Sequence, residues 1–211
     1  LAPAGVAMAY RSANMARQVQ DLPALPATGP ELRTFARALA APEQFILTGA
    51  QATEQAIRAA DLSRVNVLAF ATHGLMAGDL DGLDEPALVL TPGGNDDGLL
   101  TVSEIMRLRL AADWVILSAC NTAAGGGSDD SGLAGVARAF LYAGGRNLLA
   151  SHWAVRDDAA AYLSVETVRR YGRGTDPARA LREAMLRMID KRPFDGAEQP
   201  VNWAPFVFVG R

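Results

Sequence analysis

Val65-Asn66-Val67-Leu68-Ala69-Phe70-Ala71 is a nearly unbroken apolar run followed at once by Thr72-His73-Gly74. Its length and its β-branched residues predict a strand covered on both faces, so helices must flank the sheet to which it belongs. Two further runs have the same character: Trp114 to Ala119 (WVILSA) and Asn147 to Ser151 (NLLAS). Ala87 to Leu90 and Leu99 to Val102 bracket the Gly/Asn/Asp segment 93 to 98 and predict a hairpin, while Phe206 to Val209 predicts a closing strand. Phe45 to Leu47 predicts one more short strand.

Between these runs the apolar period changes to that of helices. It does so after Pro30, after Thr53, and over Ser103 to Arg109, Leu133 to Tyr142, Ala159 to Tyr171 and Pro177 to Asp190. Asp176 is placed to cap the last of these, with Pro177 in its first turn. Strands alternating with helices predict an α/β layered domain built on a mostly parallel sheet. Residues 1–30 are rich in proline and lack a period over Leu22 to Pro30, which predicts an irregular lead-in to a domain spanning 31–211. Leu1 in place of Met predicts that the chain is a fragment, with the lead-in expected to be a truncated part of the same domain.

Composition excludes several classes of function. With 211 residues, half of them hydrophobic, and a formal net charge of −3, the chain has enough apolar mass for one core and no excess of positive charge for binding nucleic acid. A single cysteine removes any disulfide framework, and with only two histidines no zinc-ligand pattern exists. No apolar run approaches the roughly 18 residues of a membrane span. The expected chain is cytoplasmic, with neither membrane nor nucleic acid as a direct partner.

The chemistry gathers at three predicted strand ends: Ala71-Thr72-His73-Gly74, Ser118-Ala119-Cys120-Asn121 and Ala150-Ser151-His152-Trp153. In open α/β sheets, ligands bind beyond the carboxyl ends of the strands, so parallel neighbours would bring the only cysteine and both histidines to one cleft. A thiol attacks a carbonyl as thiolate, and a neighbouring imidazole takes its proton or stabilises its anion. Residues alone leave a second reading open, in which Cys120 is a small buried hydrophobe and His73 a hydrogen-bonded loop residue.

The segments FATHG (Phe70 to Gly74) and LSACNTA (Leu117 to Ala123), in that order, resemble the CHAT domain, a caspase-like family of clan CD cysteine peptidases often joined to tetratricopeptide repeats. Gly132-Leu133-Ala134-Gly135, Phe140 to Gly144, Trp153-Ala154-Val155 and Asn202 to Gly210 continue the likeness, which spans about residues 28 to 211. The resemblance implies a caspase-like three-layer α/β/α sandwich. It also implies peptide-bond hydrolysis by a His73–Cys120 dyad without a cofactor, and an oxyanion hole made by the amides of Gly74 and Cys120. A protein or peptide substrate and a tetratricopeptide-repeat regulatory region follow as expected partners.

His152 departs from the family's usual apolar residue before the tryptophan and is a rival base or a cleft residue. Trp153-Ala154-Val155-Arg156-Asp157 resembles the corresponding region of separases, which cleave after arginine, so Asp157 is expected to receive Arg or Lys before the scissile bond. Asp157 or Asp158 would equally serve as a helix cap, and Arg156 as a counter-charge in the site. Asn121, Asp129 and Asp130, in and before the Gly-rich loop 123–132, are assigned with His152 and Trp153 to the substrate cleft. That loop lacks the Lys and Ser/Thr of a phosphate-binding P-loop. The alternatives are a catalytically silent CHAT-like interaction module and an unrelated thiol hydrolase of small esters or amides. If the first two strands are adjacent and parallel, one strand spacing of about 4.8 Å separates the His73 and Cys120 loops. The sulfur then lies about 3 to 7 Å from the imidazole, with the Gly74 nitrogen and Asp157 bordering the same space.

Overall fold

The computed structural model describes residues 14–94, 96–118, 131–152 and 155–210, apart from the side chains of 131–134 and 157. Four strands form the central sheet: β1 (Val67–Phe70), β5 (Trp114–Leu117), β6 (Asn147–Ser151) and β7 (Phe206–Gly210), in that spatial order. β1, β5 and β6 are parallel and β7 closes the edge antiparallel to β6. The three apolar runs that predicted strands are therefore neighbours, and the expected α/β fold with a mostly parallel sheet is the observed one.

β5 shows why. All four of its residues are 0 to 1% exposed, and their side chains alternate between two separate cores, as the period of a strand requires. Val115 and Leu117 join Phe70, Leu148, Val136 and Phe140 on one face, where α3 (Glu54–Ala59), α4 (Val102–Ile105) and α5 (Ser131–Tyr142) pack. Trp114 and Ile116 join Phe35, Leu163, Leu181 and Met188 on the other, supplied by α2 (Thr28–Ala38), α6 (Asp157–Tyr171) and α7 (Pro177–Lys191). Helices on both faces of one sheet make three layers. Each fully buried large side chain contributes about 1.5 to 3 kcal/mol, which fixes the strand register far more firmly than local propensity does.

A second, smaller sheet of β2 (Gly74–Leu75), β3 (Ala87–Val89) and β4 (Leu99–Thr101) is antiparallel throughout. It contains the predicted hairpin. Leu75, Leu83, Ala87, Val89 and Leu99 form a third apolar cluster with Val19, Met15 and Leu22.

Met15 and Val19 lie on helical residues 14–20, which we call α1. The lead-in expected to be irregular thus holds a helix, because its apolar residues have the small sheet to cover, and α2 begins at Thr28 rather than after Pro30. Phe45 to Leu47 is not a strand: Glu43–Phe45 is a single 3-10 turn after Pro42, and Phe45 is 69% exposed and pairs with no strand among the described residues. The helix expected over Ser103 to Arg109 stops at Ile105, after which Leu108 and Leu110 turn into the first core and the Leu110 N–H bonds to the Ala143 carbonyl. α8 (Pro200–Trp203) is a further short helix that the periodicity did not reveal.

Asp176 caps α7 as predicted, its side chain accepting from the Arg179 N–H at 3.1 Å. The turn after α5 passes through Gly144, whose φ of +113° and whose 2.2 Å approach of an ideal Cβ to the Leu110 carbonyl oxygen leave room for no side chain. That turn delivers the chain into β6. Among the described residues no helix is long and apolar enough to cross a membrane.

Candidate active site

β1 and β5 run in register, with Phe70 opposite Leu117, an offset of 47 residues. The same offset separates His73 from Cys120 in the sequence. Beyond the last paired residues the Ser118 N–H still bonds to the Phe70 carbonyl at 2.8 Å, so the two strands leave the sheet side by side.

His73 is 7% exposed and its position is fixed by three hydrogen bonds, two to Val89 and one to Pro23. Its carbonyl accepts from the Val89 N–H at 2.9 Å, and the Thr72 hydroxyl donates to the Val89 carbonyl, so the hairpin strand β3 holds the peptide on which the imidazole stands. The ring Nε2 lies 2.7 Å from the Pro23 carbonyl oxygen. A carbonyl only accepts, so in the neutral imidazole Nε2 carries the proton and Nδ1 keeps its lone pair as the basic nitrogen. Pro23 can occupy this place because Leu22, next to it, packs with α1 against the small sheet.

Gly74 follows in β2 and is buried. In an antiparallel ladder a residue turns both of its polar backbone groups to one side and the next residue turns them to the other. Since the His73 carbonyl is bonded to β3, the Gly74 N–H faces away from β3.

At the tip of β5, Ser118 is 7% exposed, and its hydroxyl donates to Glu31 Oε1 at 2.7 Å. Glu31, in the first turn of α2, is itself only 6% exposed. At the tip of β6, Ser151 is buried, while His152 is exposed and its N–H bonds to the Pro205 carbonyl at 2.9 Å. Val155 turns into the second core.

Arg156 is engaged by the next helix turn: its guanidinium meets both Asp158 carboxylate oxygens, at 3.0 and 2.6 Å, and lies 5.3 Å from the Phe194 ring centroid. Asp158 also accepts from the Ala159 N–H. Asp158, the alternative cap, is therefore spent on the start of α6 and on Arg156. Cys120, Asn121, Asp129, Asp130 and Trp153 lie outside the described residues, as does the side chain of Asp157. The expected sulfur-to-imidazole distance falls there too.

Pro23 and Glu31 escaped the sequence reading. The first acts through a main-chain oxygen that any residue carries, and the second lies 87 residues from its serine. Neither leaves a local pattern.

A second polar cluster lies at the loop end of the hairpin. The Glu54 side chain is 3% exposed, accepts from the Gly98 N–H at 3.0 Å, and pairs with Arg58 at 3.0 Å. Arg58 also bonds Asp96 and approaches Glu104 at 3.8 Å. Burial, and next the negative charge of Glu104, push the Glu54 carboxyl up from 4.5 to about 7, against the pull of its bonds to Arg58 and Gly98.

The family model for the CHAT domain matches residues 3–211. This chain belongs to the CHAT domain family. The match takes in α1 and Pro23 together with the three-layer body, so the part of the chain that touches His73 from upstream is included in the CHAT domain. A relative, tetratricopeptide repeat protein 28 of Mus musculus, is 32% identical over 112 residues. The aligned segment is 53% of this CHAT domain chain and 4% of that protein, so the chain spans only a small fraction of its relative.

Proposed function

We propose that this CHAT domain is a cysteine endopeptidase in which His73 and Cys120 form the dyad. The observation that carries the reading is the buried His73 at a parallel strand tip, with Nε2–H held by the Pro23 carbonyl and Nδ1 left as base. The register match of 47 residues supports Cys120 as its partner.

In this mechanism Nδ1 takes the Cys120 thiol proton and the thiolate attacks the scissile carbonyl carbon, giving a tetrahedral oxyanion. The Gly74 N–H, turned away from β3, and the Cys120 N–H donate to that oxyanion. As it collapses, the C–N bond breaks and Nδ1 passes its proton to the leaving amine, which leaves a thioester on Cys120. Water then attacks the thioester, its proton passing to Nδ1 and on to the departing sulfur, which frees the acid and restores the thiol. Throughout, the Pro23 carbonyl keeps the ring oriented.

Asp157, with Asp129 and Asp130, supplies negative charge for a basic residue before the scissile bond, and His152, Trp153 and Asn121 complete the cleft. The relative's name supports an association of this domain with tetratricopeptide repeats, and we assign to such a region the control of activity. The test is peptide-library cleavage by the full-length protein, comparing wild type with Cys120→Ala. Loss of all cleavage in the variant is expected, and unchanged turnover overturns the mechanism.

A further inference from the structure

We propose that Glu31 is a positioning residue for the nucleophile segment. Through Ser118 it fixes the start of the peptide that runs to Cys120, and with the Pro23 carbonyl it makes residues 23–31 one brace across both strand tips. The inference rests on the peptidase reading of His73 and Cys120.

A carboxylate is costly to bury unless it is hydrogen-bonded, so a glutamate at 6% exposure needs a reason. Favouring the N-terminus of α2 is not sufficient, because an exposed glutamate in the same turn would give that benefit without desolvation. The 2.7 Å bond from the Ser118 hydroxyl to Oε1 is a short, well-formed hydrogen bond between two buried side chains. It is made at the last described residue of the β5 tip, two positions before Cys120. Ser118 is thereby held twice, by its N–H on Phe70 and by its hydroxyl on Glu31.

Eight residues before Glu31, the Pro23 carbonyl holds the His73 ring. The start of α2 joins the two contacts, and Phe35, one turn further on, anchors that helix in the second core. His73 and Ser118, the residue from which the chain runs on to Cys120, are thus referenced to the same short piece of backbone. A displacement of about 1 Å in either partner is enough to cost on the order of 100-fold in rate.

The test combines kinetics with alkylation of Cys120, the only cysteine among these 211 residues, followed by mass mapping of its peptide in the full-length protein. Glu31→Ala and Ser118→Ala are expected to lower kcat about 10- to 100-fold with KM changed less than about threefold, and the double variant to be no worse than either single one. Glu31→Gln keeps an acceptor oxygen and is expected to retain kcat within about threefold, with the pH midpoint of iodoacetamide alkylation unchanged. Thermal unfolding of each variant separates misfolding from misplacement, and Ser118→Ala, which removes one oxygen, carries the test if Glu31→Ala does not fold.

A Glu31→Gln loss as deep as that of Glu31→Ala overturns the proposal in favour of a charge effect. A change confined to KM for basic substrates makes Glu31 a substrate contact and overturns it as well. Active wild type with Ser118→Ala and Glu31→Ala within twofold of it refutes the brace and leaves the peptidase reading intact. A wild type that cleaves no peptide, with alkylation slowed severalfold in both alanine variants but not in Glu31→Gln, sustains the brace and refutes the peptidase reading.

Discussion

Replacing Glu54 by Gln removes a carboxyl that the fold drives up to about 7, and its effect must therefore depend on pH. Between 4.5, the ordinary value, and about 7 the folded protein holds a proton that the unfolded chain has released. Rising pH through that interval favours unfolding: the stability that goes with the bound proton is complete below pH 4.5 and has gone above about pH 7. At about 1.4 kcal/mol per pH unit the whole interval is worth about 3 kcal/mol.

Glutamine can still accept from the Gly98 N–H, and Arg58 keeps Asp96 and Glu104, so the variant retains the contacts and loses the titration. Urea midpoints followed by tryptophan fluorescence at pH 5, 6, 7 and 8, with buried Trp114 as one reporter, measure the difference. The variant should gain about 2 to 3 kcal/mol on wild type from pH 5 to pH 8. Glu104→Gln, which deletes the charge that most raises Glu54 after burial, should move the wild-type transition to lower pH. A Glu54→Gln difference that stays constant across the series would refute the argument.

Other outcomes follow from the same geometry. His73→Ala should lower kcat/KM for peptides nearly as far as Cys120→Ala, and the double variant no further, because dyad members act as a unit; additive losses in single-turnover assays would contradict the dyad. Gly144→Ala should destabilise by about 3 kcal/mol or more, since its Cβ meets the Leu110 carbonyl oxygen, whereas Gly174→Ala, with positive φ but open space, should lose only about 1 kcal/mol. Chemical denaturation of both decides whether the close approach matters beyond the backbone angle. Asp157→Ala should weaken cleavage after Arg or Lys about 10-fold or more with little change in melting temperature, and a library profile led by other residues would exclude that pocket.

The sheet was legible because its inner strands are apolar on both faces: Trp114 to Leu117 has no polar side chain to turn outward, so periodicity, burial and register all agree. Asp176-Pro177 was legible because a cap needs only its own turn. Phe45 misled because an aromatic residue in an apolar run reads as core, and nothing local says that no strand comes to cover it. β2 is two residues long and exists only because β3 lies beside it. At the candidate site, the place of His73 beyond a strand tip was readable from the apolar run before it, but what orients its ring was not. Pairings such as Glu31 with Ser118 are made by the packing of α2 on the sheet, which no window of sequence contains.

The partner that orients His73 is a main-chain oxygen, and this divides the kinds of change the site tolerates. Side-chain replacement at position 23 leaves a carbonyl in the same place, so a saturation scan would score the position as nearly silent. Adding or deleting one residue between the end of α1 and the start of α2 moves that carbonyl by up to about 3.5 Å along the chain, beyond hydrogen-bond reach. The constraint on this stretch falls on its length rather than its spelling, and it is felt at an imidazole 50 residues away.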